Sequence, residues 1–137
     1  MDLSFHEKSL WVTFVGLLAA FGWYFGRVLP AASVDVMPPQ VGTFVMAVVL
    51  LVMTQVAGHT VIAIVDRRPE TDERERLIQL RGTRNGAYVL AAGVFLSLCT
   101  AVLTEGNFRF AHVLLGSWVM AQLVETGSQL VLHRRGA

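Results

Sequence analysis

One cysteine and four prolines in 137 residues remove several classes of protein at once. Cys99 has no second cysteine in its chain to pair with, so neither an internal disulfide framework nor a cysteine-based zinc site can form. No proline falls where it would interrupt one of the long apolar runs, which argues against the broken helices that line many translocation paths. Charge is scarce as well: Asp, Glu, Lys and Arg make up 15% of the chain, and the net charge of +1 gives no general attraction to nucleic acid. The stretch "RGTRNG" contains glycines but has neither the G-x-x-x-x-G-K-[ST] nor the G-x-G-x-x-G spacing, and it follows no strand pattern.

What remains is apolar. The chain is 54% hydrophobic with a mean hydropathy of +0.56, outside the usual range of water-soluble domains. Charge-free runs cover residues 9–26, 36–65 and 85–104, and a fourth, 110–133, is broken only by Glu125. About 20 residues at 1.5 Å rise cross a bilayer core, so each run is long enough to span once. The second run is too short to span twice, and its start, "VMPPQVG", reads as loop. The expected architecture is therefore all-α: a polytopic four-transmembrane-helix bundle forming a single domain over 1–137, with helices at about 5–29, 42–65, 73–103 and 108–133. A cleaved secretory signal is the rival reading of the first run. Its leader, with Asp2, Glu7 and Lys8, is not net positive, and its apolar stretch exceeds that of signal peptides.

Orientation follows from the basic residues. If the N-terminus is cytoplasmic, the inside carries Lys8, Arg67, Arg68, Arg74, Arg76, Arg81, Arg84, Arg134 and Arg135, against Arg27 and Arg109 outside. Both termini are then expected in the cytoplasm of the cell's inner membrane. "SFHE" offers Ser4 as N-cap of the first helix, which should end near Pro30, with Trp23, Tyr24 and Phe25 in the aromatic interface belt. "DRRPE" should stop the second helix, and "TDERE" offers Asp72 as N-cap of the third.

"DERERLIQLRGTRN", residues 72–85, holds seven charged side chains in fourteen positions. Acids come first, at the positive end of a helix dipole, and Arg81 and Arg84 follow near the expected membrane surface. Arg74, Arg76, Arg81 and Arg84 are read as a surface for lipid headgroups or for a protein partner. Catalysis is disfavoured, because the stretch has no His, Cys, Ser or Lys, and Thr71 and Thr83 have no evident base beside them in sequence. Gly82 and Gly86 form a small-xxx-small pair suited to helix packing. The longer box "DERERLIQLRGTRNGAYVL" resembles that of small bacterial predicted four-helix inner-membrane proteins of unassigned function. The matching positions are Asp72, Glu73, Arg74, Ile78, Arg84 and Tyr88, while Ala87 stands where that pattern has a first Tyr. The resemblance covers the loop and the start of the third helix. It implies a fold and a membrane, with no activity to carry over.

Ionisable residues inside a span are costly and point to function. His59 and Glu125 lie six and seven residues from the inner ends of their runs, about 9 and 10 Å at 1.5 Å per residue. Gln55 shares a helical face with His59, and Gln122 and Gln129 share one with Glu125. The second and fourth helices should therefore face their polar stripes together, with Gly16, Gly58 and Gly93 allowing close approach. The cluster would be interhelical glue, or a ligand or proton site. His59 and Glu125 alone supply too few ligands for a metal, and His59 and His112 lie at opposite ends, so no shared haem is expected. His133 should sit at the cytoplasmic boundary. The expected function is a non-enzymatic integral membrane protein, an accessory subunit or small sensor, without cofactor or catalytic residues. A proton-linked carrier or oligomeric channel using His59 and Glu125 is the alternative. The expected partners are the lipid bilayer, a cytoplasmic or membrane protein, or further copies of the chain, and not nucleic acid.

Overall fold

The computed structural model describes residues 4–65 and 72–135. These residues form four long helices and no strand: α1 (Phe5–Val28), α2 (Pro38–Val65), α3 (Glu73–Leu103) and α4 (Phe108–Arg135). At 1.5 Å per residue they are about 36 to 46 Å long. Arg67, Arg68 and Thr71 lie outside the described residues.

Local sequence accounts for most helix ends. Ser4 caps α1 as expected, its hydroxyl accepting from the Glu7 amide at 3.2 Å. A short 3-10 turn, Leu29–Ala31, carries the chain through Pro30. Asp72 occupies the N-cap of α3 with extended backbone, but its side chain makes no capping bond. The main difference from expectation is the start of α2, four residues earlier than read from the sequence. Pro38 and Pro39 open the helix, where the missing amide hydrogens have no carbonyl to reach and the fixed φ suits the first turn.

In space the order is α2–α1–α4–α3. The backbones of α1 and α4 pack together, α2 packs on α1 and α3 on α4. No Cα pair of α2 and α4, of α1 and α3, or of α2 and α3 lies within 8 Å. The four-helix bundle expected from the sequence therefore has α1 and α4 as its two central helices. Glycines set the close approaches. A Cβ at Gly86 would lie 2.9 Å from the Ala121 carbonyl oxygen, and one at Gly82 would lie 2.9 Å from that of Glu125. Gly93 backs onto Ser117, and on the other side Gly58 backs onto Val12.

Three helical segments are long and apolar enough to cross a membrane: Phe5–Ala31, Pro38–Val65 and Glu73–Leu103. α4 has the length but carries Arg109, His112, Gln122, Glu125, Gln129 and His133. Like α1 it is covered on two sides, and its His112, Thr126 and Gln129 are buried. The most apolar helix, α2, has only Gln40, Ala47 and Ile62 buried. A packed core of Leu17, Phe21, Tyr24, Val28, Ala47, Phe108 and Val119 joins α1, α2 and α4 at the end that carries the short loops.

Those loops are sewn together. The Asn107 side-chain oxygen accepts from the Val36 amide at 2.7 Å, and the Asp35 carboxylate accepts from the Asn107 amide at 3.1 Å. The Phe108 amide donates to the Val34 carbonyl at 3.1 Å. Gly106 has φ +75 and lies directly against Val34, so both the left-handed backbone and the lack of a side chain are required there.

Candidate functional site

The two polar stripes read from the sequence are real but do not meet. His59 turns to α1: its Nε2 lies 2.8 Å from the Ser9 hydroxyl, and its Nδ1 lies 2.8 Å from the Gln55 carbonyl. That carbonyl can only accept, so Nδ1 bears the proton, and in the neutral ring Nε2 takes the Ser9 hydrogen. Thr13 adds a hydroxyl bond to the Gln55 side-chain oxygen at 3.3 Å. Ser9, Thr13, Gln55 and His59 thus lock α1 to α2, beside the close approach of Gly16 to Gln55.

Glu125 turns the other way. Its carboxylate accepts from the Thr83 hydroxyl at 2.8 Å, and one turn along Asn85 donates to Ser128 at 3.2 Å. Gln129 is buried against Gly82, while Gln122 is half-buried and its carbonyl accepts from Thr126 at 2.6 Å. The expected facing of His59 and Glu125 across α2 and α4 is therefore corrected: α1 stands between those helices, and each residue bonds within its own pair. Thr83 is corrected too, since the fold supplies it with a carboxylate forty-two positions away. Ser9, Thr13 and Asn85 escaped the sequence reading because single uncharged polar side chains stand out little beside apolar runs. Only Ser9 and Thr13 left a trace, an i, i+4 spacing that matches Gln55 and His59.

No family model, curated protein or solved structure matches this chain. The reading of its chemistry rests on its own geometry.

A third polar group lies at the loop end, where the sequence suggested an interface belt. Tyr24 is 3% exposed, and its hydroxyl lies 2.9 Å from Nε2 of His112, whose Nδ1 donates to the Phe108 carbonyl at 2.8 Å. Tyr24 therefore donates and His112 accepts. The two rings are parallel with centroids 5.8 Å apart, and the Phe108 ring stacks on His112 at 4.0 Å. Tyr24 thus belongs to the core, not the belt. Trp23 remains exposed, with Arg27 over its ring at 5.6 Å. A cavity of about 220 Å³ adjoins this group, lined by Tyr24, Gln40, Phe44, His112 and Leu115 among others. Its polar atoms already have partners: Gln40 bonds the Ala31 carbonyl and the Met37 amide.

At the opposite end, where the run of α4 gives way to Arg134 and Arg135, His133 lies near α1 and α3. Its ring lies 5.7 Å from that of His6, which itself bonds Gln79 at 3.2 Å. Nε2 of His133 is buried without a hydrogen-bond partner among the described residues. Burial holds its pKa below the ordinary histidine value, helped by His6 and Arg74 and opposed by Glu7 and Glu75.

The arginines divide. Arg74 and Arg76 are exposed on the first turns of α3, whereas Arg81 and Arg84 border a groove of about 890 Å³ over α4. A larger groove, about 990 Å³, runs between α1 and α2 and is lined by Trp11, Val15, Trp23, Leu50 and Val61 among others. The Thr54 hydroxyl in its wall is bonded to Leu50 of its own helix at 2.8 Å.

Proposed function

We propose that this chain is a non-enzymatic integral membrane protein, an accessory subunit or small sensor, inserted in the inner membrane with both termini in the cytoplasm. The observation that supports the functional part of this reading is the separation of the polar stripes. Ser9 with His59 stabilises one helix pair and Thr83 with Glu125 the other, which is what interhelical hydrogen bonds do in apolar surroundings. A proton relay would need His59 and Glu125 within reach of one another, and α1 intervenes. The alternative of a proton-linked carrier loses its geometric basis.

Membrane insertion is supported by the inversion of burial. In water the most apolar helix would be the most covered, because burial of apolar surface drives folding. Here α2 is bare while the polar face of α4 is enclosed by α1 and α3, an arrangement suited to a solvent of hydrocarbon. α4 crosses as the fourth span with its polar groups turned inward. Nine basic residues on one side against two on the other give the orientation. The charged box and its resemblance to those of small four-helix membrane proteins point the same way.

Reconstitution tests the reading. Wild type and Glu125→Gln are placed in liposomes that contain a pH-sensitive dye. Both are expected to hold an imposed proton gradient equally well, with the variant melting at lower temperature. A wild-type proton flux abolished by the substitution would refute the accessory reading and restore the carrier.

A further inference from the structure

The groove beside Arg81 and Arg84 has the form of a site for one lipid. α4 is its floor, from Leu123 to Leu132; Phe14 of α1 is one wall, and Arg81, Arg84 and Asn85 of α3 are the other. The nine residue steps from Leu123 to Leu132 correspond to about 14 Å, close to half of a hydrocarbon core of about 30 Å. The groove is thus about one leaflet deep.

Its charge lies at the right height. Gly82 and Gly86 stand opposite Glu125, so Arg84 lies at the level of Glu125, while the apolar run of α4 continues to Leu132. That is seven residues, or about 10 Å, on the apolar side of the run's end. Side chains of a helix lean toward its N-terminus. For α3 this direction is toward the charged end, so an arginine at either position can extend along the groove toward the expected headgroup level. Neither makes an ion pair or hydrogen bond among the described residues. Two guanidinium groups without an ion pair among the described residues, above a mostly apolar trough, match a phosphate on an acyl chain.

We propose that this groove binds an anionic phospholipid, its phosphate held by Arg81 and Arg84 and one acyl chain lying over Leu123 and Val124. The proposal rests on the membrane reading above and narrows the four-arginine surface to two residues. Arg76 provides the control, since five residues at about 100° each carry it about 140° around α3 from Arg81, away from the groove.

The test begins with alkaline carbonate extraction of membranes containing the full chain. Release into the supernatant would overturn membrane insertion itself, whereas retention leaves the lipid question to be decided separately. The chain is then purified in detergent and exposed to phosphatidylglycerol or phosphatidylcholine with identical acyl chains, and bound lipid is counted by native mass spectrometry. Phosphatidylglycerol is expected to be retained about thirtyfold better, as two interfacial arginines at about 1 kcal/mol each imply. Arg81→Gln with Arg84→Gln should abolish the preference, Arg76→Gln should preserve it, and glycerol phosphate without acyl chains should not compete. Equal retention of the two lipids by wild type would overturn the proposal. So would a preference that survives the double variant, an equal loss with Arg76→Gln, or full competition by glycerol phosphate. Should the double variant fail to fold, Val124→Trp fills the trough with both arginines intact; lost retention supports the site, and unchanged retention overturns it.

Discussion

Gly86→Ala sets helix propensity against packing, and the structure decides which prevails. Alanine is worth about 0.8 to 1.0 kcal/mol over glycine in a helix interior, so propensity alone favours the variant. At Gly86, however, the new Cβ would lie 2.9 Å from the Ala121 carbonyl oxygen and 3.0 Å from the Glu125 Cβ. The first obstacle is backbone and cannot rotate aside, so α3 and α4 must separate. Overpacking of this kind costs about 1 to 3 kcal/mol. The net expectation is a loss of about 1 kcal/mol. Gly22→Ala is the reference, because nothing lies within 4 Å of its Cβ position and the propensity gain stands alone. Thermal unfolding of both variants in the same detergent, followed by helical circular dichroism, should place Gly86→Ala below wild type and Gly22→Ala at or above it. The difference should be several degrees. If Gly86→Ala melts as high as Gly22→Ala, the α3–α4 seam is not as close as described.

Tyr24→Phe should cost about 1 to 3 kcal/mol, because it leaves Nε2 of buried His112 without its donor; Tyr88→Phe, on an exposed surface, should change nothing, and equal melting temperatures would refute the Tyr24 assignment. The depressed pKa of His133 makes stability pH-dependent. Its unfolded form takes up a proton first as pH falls through the ordinary histidine value of 6.5, so stability is full above that value and declines below it. Replacement by Gln should flatten this part of the melting-temperature profile, and an unchanged slope would refute the assignment. With Cys99 changed to Ser, single cysteines at positions 76 and 107 should react with impermeant maleimide from opposite faces of sealed vesicles. Reaction of both from one face would exclude the proposed topology.

Hydropathy made the four helices legible because apolar runs of span length leave few other folds. The caps were similarly local: Ser4 with Glu7 needs only four residues to define it. Pro38 and Pro39 show the limit of local reading, since the same prolines can end a loop or open a helix. Polar partners were the least legible. His59 and Glu125 were conspicuous in their runs, but Ser9 and Thr83 were not, and a matching depth does not say which helices are neighbours.

Chain chemistry by itself determined the number of helices and most of their ends, because a contiguous apolar run and its local caps suffice to define each. Tertiary structure alone decided the order α2–α1–α4–α3, with close glycine approaches on the α1–α2 and α3–α4 seams. That order sent His59 to Ser9 and Glu125 to Thr83, buried Tyr24 on His112, and left Arg81 and Arg84 above an open groove. Pairing depends on which faces meet, a property of two helices together that neither run encodes alone.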